Sequence, residues 1–270
     1  MIGKGKKILI TGHEGFIGSH LYRRLNGLRE NVMGIGHTKK SIAASLRNCG
    51  RIDFIVHLAA KVPQVASNND YSQDIKNMSD ILQYCEQANT KLIFSSTLGV
   101  YGNPDKNPVK ETAALKEVNE YVKSKIICEK LFLVSKVQGC ICRLFNVYGK
   151  GQHESFVIPS LIKKIKNNEE IFVSDTKRDF IYIDDVIEAI LKVMDFESDN
   201  VQIFNVGYGK SYSIHELALF IEKLLSKKQA IHSVSEKEYI RDIYADISKA
   251  KKLLHWKPVF SLEEGLKKTI

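Results

Sequence analysis

Short apolar runs alternate with amphipathic stretches along the first 150 residues of the chain. The apolar runs have the length of buried parallel strands and cover about residues 7–11, 31–35, 53–60, 91–94 (which leads into a polar cluster) and 139–144. The intervening stretches show helical spacing at about residues 16–26, 41–48, 71–88 and 121–135. This alternation predicts an α/β fold with a Rossmann-like, doubly wound parallel sheet.

Two departures from regular alternation refine this prediction. Only one helix fits between Ile35 and Phe54, so the third strand of a standard Rossmann half is expected to be absent. From about residue 150 the elements become shorter and mixed, with a helix near 155–166 and a strand at 171–173. We therefore predict two parts, residues 1–150 and 151–270, with strands and helices crossing between them.

The first strand runs into a turn that contains three glycines, Gly12, Gly15 and Gly18, before a helix starts near Phe16. We expect Gly12 to make the turn, Gly15 to let the backbone approach a ligand, and Gly18 to let the helix pack on its strand. The free N–H groups at the helix start then suit an anion, most naturally a dinucleotide pyrophosphate.

A second chemical signal joins the end of the fourth apolar run to the helix that follows it. The run ends in Ser95, Ser96 and Thr97, at the carboxyl edge where open α/β sheets bind ligands. Tyr121 and Lys125 are spaced i, i+4, which places both on one helical face. A nearby ammonium is expected to lower the pKa of a phenol from its usual value near 10.

Composition narrows the class of protein. Hydrophobic residues make up 44% of the chain, charged residues 26%, and no apolar run approaches the ~18 residues of a membrane span. The five cysteines are scattered, which argues against a disulfide framework or a metal site and for the cytoplasm. The net charge of +9 is spread over helix faces without an aromatic–basic module, so we expect no nucleic-acid partner.

These motifs resemble the extended short-chain dehydrogenase/reductase family of nucleotide-sugar epimerases, dehydratases and reductases. The resemblance rests on the G-x-x-G-x-x-G turn, His57-Leu58-Ala59-Ala60, the Ser95–Gly102 segment, Tyr121-x-x-x-Lys125, Arg143–Gly149 and Arg178-Asp179-Phe180. It continues through Phe204–Gly207 and Arg241 to the last residues, so it covers nearly the whole chain.

The resemblance implies a role for each matching residue. Thr97, Tyr121 and Lys125 would be catalytic, and Thr97, Asn146, Arg178 and Arg241 would contact a nucleotide-diphosphate sugar; a homodimer is expected as well. His57 is expected to be structural, and the role of Asp74, which stands where the family has Asn, is left open. The cofactor would lie against Gly12, Glu14, Gly15, Phe16, Ile17, Gly18, His37, Lys39, Leu58, Ala59, Ala60, Ser95, Tyr121 and Lys125.

The end of the second strand bears on the choice of dinucleotide. An acid there binds the ribose 2′-OH of NAD, but this chain has Gly36, followed by His37, Thr38, Lys39 and Lys40. This group of residues is suited to a 2′-phosphate, so the sequence favours NADP(H), with NAD(H) possible.

The residues after Thr97 bear on the reaction. Family dehydratases and decarboxylases carry acids there, whereas Leu98 and Gly99 cannot transfer protons. The sequence slightly favours a reductase that delivers hydride once to a 4-keto nucleotide-sugar. A 4-epimerase that oxidises C4 transiently with NAD is the alternative, and a non-catalytic dinucleotide-binding sensor or scaffold is a third hypothesis of another class.

Overall fold

The computed structural model describes residues 5–36, 41–65, 69–174, 176–234 and 242–270. Its strands are β1 (Lys7–Thr11), β2 (Asn31–Ile35), β3 (Phe54–His57), β4 (Lys91–Thr97), β5 (Gly139–Leu144), β6 (Asn146–Tyr148), β7 (Ile171–Ser174), β8 (Lys177–Tyr182), β9 (Gln202–Val206), β10 (Ser211–Ser213), β11 (Ile231–Val234) and β12 (Asp242–Ile243). Its α-helices are α1 (Phe16–Gly27), α2 (Ile42–Arg47), α3 (Ser72–Ala88), α4 (Glu120–Val134), α5 (Val157–Lys166), α6 (Ile183–Asp195), α7 (Ile214–Leu225), α8 (Ser248–Leu253) and α9 (Leu262–Thr269). A short 3₁₀ helix covers Leu98–Tyr101.

The central sheet has six parallel strands in the order β2-β1-β3-β4-β5-β9. Helices α1 and α6 pack together, as do α2 with α3 and α3 with α4. Alternate residues of β1 enter different hydrophobic clusters, Ile8 and Ile10 in one and Leu9 in the other, because successive side chains of a strand point to opposite faces. The predicted Rossmann-like α/β fold is therefore confirmed.

The sheet has no separate third Rossmann strand in the described part of the chain. Between β2 and β3 the described residues form only α2, whose first turn is capped by Ser41 accepting from Ala44 N at 3.2 Å. The strand order reverses between β1 and β3, and the crevice at their carboxyl ends is where open α/β sheets bind ligands.

The C-terminal residues contribute to both the central sheet and smaller sheets. β9 pairs with β5, whereas β8 pairs with β6, β10 and β12, and β7 pairs with β11. One continuous hydrophobic cluster runs from Ile8 to Leu266 and includes residues of both regions. The shorter elements after residue 150 are thus packed directly on the first sheet.

Candidate functional site

The glycine turn after β1 is forced by close backbone contacts. Gly12 has φ +75°, and a Cβ placed on it would lie 2.7 Å from the backbone nitrogen of Ala59. A Cβ on Gly18 would lie 2.0 Å from the carbonyl oxygen of Gly12. Gly15 is different, because a Cβ there would meet only that same oxygen, at 3.2 Å. Packing therefore requires Gly12 and Gly18, while Gly15 keeps the outer side of the turn accessible.

The start of α1 fits an anionic ligand. Gly15 is its N-cap residue, no side chain caps the helix, and its first turn contains no acid. The first N–H groups of a helix lack intrahelical partners and carry partial positive charge, so this end suits a pyrophosphate. Phe16 and Ile17, both partly buried, form the first turn. These residues fit the dinucleotide expected from the sequence.

Thr11 joins the ends of β1 and β3 beneath this turn. Its hydroxyl oxygen lies 2.7 Å from His57 Nδ1 and accepts from Ala59 N at 3.4 Å, while its carbonyl accepts from Leu58 N at 3.1 Å. Leu58, Ala59 and Ala60 are each partly exposed where β3 ends. Thr11 was not singled out from the sequence, although a threonine directly before Gly12 was visible there.

His57 is held neutral inside the protein. Its side chain is 2% exposed, and burial lowers its pKa to about 3, with a further contribution from the charge of Lys125. A histidine with this pKa does not titrate near neutral pH. This agrees with the expectation that His57 is structural.

The end of β2 is covered by two side chains of the glycine turn. A Cβ on Gly36 would lie 2.1 Å from Glu14 Oε2, and a Cβ on Gly34 would lie 2.2 Å from His13 Cγ. The structure thus brings a carboxylate to a position that has no acid in the linear sequence. Two residues proposed to bind the cofactor here, His37 and Lys39, lie outside the described residues.

The three residues expected to be catalytic come from β4 and α4, and we call them the reaction cluster: Thr97, Tyr121 and Lys125. The hydroxyls of Thr97 and Tyr121 share a hydrogen bond, and Thr97 Oγ1 also accepts from Gly99 N at 3.2 Å. Lys125 Nζ donates to the Ser95 carbonyl at 2.9 Å and lies 4.7 Å from the centroid of the Phe94 ring. The structure therefore brings the hydroxyls of Thr97 and Tyr121 together. It anchors Lys125 of α4 on Ser95, two residues before Thr97 in β4.

The beginning of α4 sets the position of Tyr121. Asn119 caps the helix by accepting from Val122 N at 2.8 Å, which places Tyr121 in the first turn. Lys125 is 5% exposed on the same face, whereas Lys123 is exposed and lies 3.8 Å from Glu120. The lysine four residues after Tyr121 is therefore the buried one, and the nearer Lys123 faces solvent.

The pKa of Tyr121 differs from the sequence-based expectation. Burial raises the pKa of its phenol above the usual value, and the hydrogen bond with Thr97 only partly opposes this effect. Burial also lowers the pKa of Lys125, whose ammonium is directed to the Ser95 carbonyl. The expected lowering of the Tyr121 pKa by Lys125 is therefore wrong: burial, with a smaller contribution from the charge of Asp74, raises this pKa and keeps the phenol protonated at neutral pH.

The residues next to Thr97 provide no second acid or base. Leu98 and Gly99 are buried at the start of the 3₁₀ helix, and a Cβ on Gly99 would lie 2.9 Å from Val122 Cγ2. Ser95 Oγ donates to the His57 carbonyl at 3.1 Å. Ser96 points to the opposite face of β4, where its buried Oγ has no hydrogen-bond partner among the described residues.

Two of the three residues expected to contact only the substrate lie in the sheet that contains β8. Asn146 Nδ2 donates to the Asp179 carbonyl at 2.9 Å, and Arg178, partly exposed on β8, donates to the Lys177 carbonyl at 3.0 Å. Arg241 lies outside the described residues. The hydrogen bond of Asn146 joins β6 to β8, while the partial exposure of Arg178 leaves it accessible to a ligand.

Asp179 is an anchor that sequence reasoning had not assigned. Its buried carboxylate accepts from Tyr208 N at 2.7 Å, Gly209 N at 2.9 Å and Ala245 N at 3.0 Å. Burial raises its pKa to about 6. Asp179 fixes two C-terminal loops beside β8; its place in Arg178-Asp179-Phe180 was visible, but its partners are distant in sequence.

Asp74 has a comparable role near the end of β3. Its Oδ2 accepts from Lys61 N at 3.1 Å, which ties the segment after Ala60 to α3. Burial raises its pKa. This contact needs only an oxygen acceptor, so either Asp or the family's Asn satisfies it.

A second buried polar group, the Arg143 network, adjoins the reaction cluster and consists of Tyr101, Glu111, Glu129, Arg143 and Asn205. Arg143 donates to both carboxylate oxygens of Glu129 at 3.0 and 2.6 Å, to Tyr101 Oη at 3.0 Å and to the Glu111 carbonyl at 2.9 Å. Tyr101 in turn donates to Asn205 Oδ1 at 2.6 Å. The network joins β5, α4 and β9, and the Asn205 amide extends it by donating to the Val109 carbonyl at 2.9 Å.

The described residues contain no group of three or more His, Cys, Asp or Glu side chains placed to hold a metal ion. All five cysteines are free, and Cys140 and Cys142 share one buried cluster as their alternation predicts. Among the same described residues, no helix has the length and apolar character needed to cross a membrane.

Comparison with known proteins identifies the family. The profile of the NAD-dependent epimerase/dehydratase family matches residues 8–207. A putative UDP-glucose 4-epimerase of Methanocaldococcus jannaschii is 31% identical over 97% of each chain. The dTDP-4-dehydro-6-deoxyglucose reductase of Escherichia coli is also 31% identical, over 81% of this chain and 74% of its own.

A solved structure shows the same fold. The UDP-glucose 4-epimerase of Thermotoga maritima, determined with UDP-glucose, superposes with a TM-score of 0.87 at 27% identity and 97% coverage of both chains. At this coverage the likeness extends over residues after 150 as well as those before. By the family match, the sequence relatives and the shared fold, this chain is an enzyme of the NAD-dependent epimerase/dehydratase family.

Proposed function

We propose that the enzyme reduces the carbonyl group of a 4-keto nucleotide-sugar, with Tyr121 as the proton donor. The observation that carries this proposal is the pairing of the Tyr121 and Thr97 hydroxyls at the carboxyl end of β4, and the raised pKa of Tyr121 keeps its phenol protonated. A protonated group is ready to donate when a carbonyl oxygen gains negative charge. An enzyme that begins by oxidising an alcohol needs the opposite, a base.

The chemistry balances with one hydride and one proton. A reduced nicotinamide held at the glycine turn would supply the hydride that the carbonyl carbon gains, together with its two electrons. The Tyr121 hydroxyl supplies the proton to the carbonyl oxygen, which becomes an alcohol, and the phenolate regains a proton from solvent. Thr97 is proposed to hold the same oxygen by a hydrogen bond, and Lys125, anchored on Ser95 and on the same helical face as Tyr121, is proposed to supply positive charge to the site as the phenolate forms.

The two residues that follow Thr97 in the chain limit the reaction. Dehydration of a sugar needs proton transfer at two neighbouring carbons, but the adjacent side chain of Leu98 is apolar and Gly99 has none. The geometry therefore supports hydride transfer without elimination or decarboxylation.

The proposed substrate is a sugar joined to a nucleoside diphosphate. The relatives named above act on UDP- or dTDP-linked sugars by their names. In this chain Arg178 and Arg241 are proposed to bind the diphosphate, because guanidinium groups match paired phosphate oxygens, and Asn146 is proposed to line the sugar side.

The proposed cofactor is a nicotinamide dinucleotide held at the glycine turn. The sequence favoured NADP(H) because Gly36 replaces the usual acid. The position of Glu14 beside Gly36 removes that premise, since the site does contain a carboxylate.

A 4-epimerase is the second candidate. Its support is the similarity to the M. jannaschii and T. maritima proteins, both named as UDP-glucose 4-epimerases. Such an enzyme uses the same cluster in both directions and returns the hydride to the opposite face of the sugar.

Net consumption of the reduced dinucleotide separates the candidates. The purified protein is mixed with a dTDP- or UDP-linked 4-keto sugar and NADH or NADPH, and nicotinamide absorbance and sugar products are followed. A reductase oxidises one dinucleotide per alcohol formed. Interconversion of UDP-glucose and UDP-galactose without net oxidation would replace the reductase by the epimerase, and failure of both reactions would contradict the proposed activity.

A further inference from the structure

We propose that Glu14 makes this enzyme select a dinucleotide whose adenosine ribose carries a free 2′-hydroxyl, namely NAD(H) over NADP(H). This inference rests on the proposed dinucleotide-dependent function and names a specificity-determining residue within it. It reverses the preference drawn from Gly36 and its neighbours in the sequence alone.

The geometry begins with the position of the Glu14 side chain. Glu14 lies in the turn between β1 and α1, yet its carboxylate reaches the end of β2. A Cβ placed on Gly36 would lie 2.1 Å from Oε2, 2.3 Å from Cδ and 2.7 Å from Oε1 of Glu14, and these are its three nearest heavy atoms. The carboxylate therefore fills the space that a side chain at the end of β2 would otherwise occupy.

The two glycines of β2 make this arrangement possible. Gly34 and Gly36 are two residues apart in extended chain, so side chains at both positions would point to the same face. At Gly34 the space is filled by the ring of His13. A larger residue at either position would displace the side chain that the turn places there. The turn is fixed against β2 by the bond from Gly12 N to the Ile35 carbonyl, at 2.7 Å.

The chemical consequence follows from where dinucleotide-binding folds hold the adenosine ribose. In these folds an acid at the end of the second strand accepts a hydrogen bond from the ribose 2′-OH. Here the acid is supplied by the glycine turn, whose other function is to face the pyrophosphate. A carboxylate at this place accepts from a hydroxyl and repels a 2′-phosphate, which carries charge of the same sign.

Positive charge in residues 37–40 provides the competing argument. His37, Lys39 and Lys40 follow Gly36 directly in the sequence and lie outside the described residues. If these residues bind a 2′-phosphate, Lys39→Gln weakens NADPH binding selectively and Glu14→Gln has little effect. The two arguments therefore make opposite predictions for two single variants.

Dissociation constants of NADH and NADPH, measured by fluorescence titration of the full chain, test the inference without requiring turnover. We expect the wild type to bind NADH about 10- to 100-fold more tightly than NADPH, the range given by one hydrogen bond to a charged group. Glu14→Gln should bring the two constants close together, and Glu14→Arg should favour NADPH. Glu30→Gln, the same charge change just before the opposite end of β2, is the matched control and should leave the ratio unchanged.

The outcomes separate this inference from the proposed function. Tighter binding of NADPH by the wild type, or an unchanged ratio in Glu14→Gln, would overturn the role of Glu14. Selective NADH binding without reduction of any 4-keto nucleotide-sugar would leave Glu14 in place and remove the reductase. Binding of neither dinucleotide would overturn both.

Discussion

The reaction cluster and the Arg143 network are neighbours on α4, and each contains a tyrosine and a buried cation. In the Arg143 network the guanidinium forms a two-pronged ion pair with Glu129, and fully buried Tyr101 is fixed between Arg143 and Asn205. In the reaction cluster Tyr121 is partly exposed and bonded to another hydroxyl. The first arrangement holds the fold, whereas the second pairs two hydroxyls at the carboxyl edge of the sheet, where open α/β sheets bind ligands.

The largest expected effect comes from breaking the ion pair of the Arg143 network. Arg143→Leu should lower the free energy of unfolding by about 3–5 kcal/mol, because it leaves the Glu129 carboxylate buried without its partner. Urea denaturation measures the loss. The double variant Arg143→Leu/Glu129→Leu should recover much of it, and an unchanged single variant would show that the pair is not structural.

Removing the buried cation of the reaction cluster should lower turnover and leave the free energy of unfolding nearly unchanged, the reverse of the effect at Arg143. Lys125→Met should lower turnover about 10²-fold, since the Tyr121 phenolate then forms without a neighbouring charge. Burial disfavours the Lys125 ammonium and lowers its pKa, and the substitution removes this unfavourable contribution together with the bond to the Ser95 carbonyl. The free energy of unfolding should therefore change little. Exposed Lys123→Met is the control and should change neither quantity; equal turnover in both variants would exclude Lys125 from the reaction.

A smaller effect is expected at the hydroxyl beside Tyr121. Thr97→Val removes the hydrogen bond that lowers the pKa of Tyr121 and should reduce turnover about tenfold, the upper range for one hydrogen bond. Steady-state kinetics measures this change. Ser96→Ala alters the next residue, whose side chain points to the other face of β4, and should retain wild-type turnover. A comparable loss in both variants would indicate a distorted strand instead.

The smallest effect tests whether His57 belongs with the structural residues despite its place near Lys125. Its pKa is lower in the folded protein, about 3, than in the unfolded chain, so the unfolded state binds more protons between these values. Stability is therefore lost as pH falls below about 6.5, by about 1 kcal/mol at pH 6. The difference in unfolding free energy between wild type and His57→Gln, measured against pH, should show this slope. No difference in slope would mean that His57 is not buried neutral.

The sequence predicts the parts of this molecule that depend on local patterns. β2 matches the predicted 31–35, and the helix predicted from Tyr121 to Ser135 is observed at Glu120–Val134, because apolar runs, glycines and caps act over a few residues. The contact of Glu14 with Gly36 crosses between elements and depends on where a long side chain turns. Sequence spacing contains no direct signal for such a contact.

The pKa of Tyr121 shows the same limit. The spacing of Tyr121 and Lys125 correctly puts both on one helix, but the ammonium is directed to a main-chain oxygen of β4 that only the folded sheet provides. Burial of the phenol is likewise a tertiary property. The division near residue 150, the homodimer and the cytoplasmic location stay predictions.

The central claim, that Tyr121 is the proton donor and Tyr101 a structural residue, is tested most directly by making the same change at both. Single-turnover reduction of a 4-keto nucleotide-sugar is measured with Tyr121→Phe and Tyr101→Phe, both saturated with reduced dinucleotide, together with their urea stability. We expect Tyr121→Phe to lose about 10²–10⁴-fold in rate and to keep its stability and dinucleotide affinity. Tyr101→Phe should lose stability and keep its rate. A near-normal rate in Tyr121→Phe, or the same loss of rate in both variants, would contradict the account.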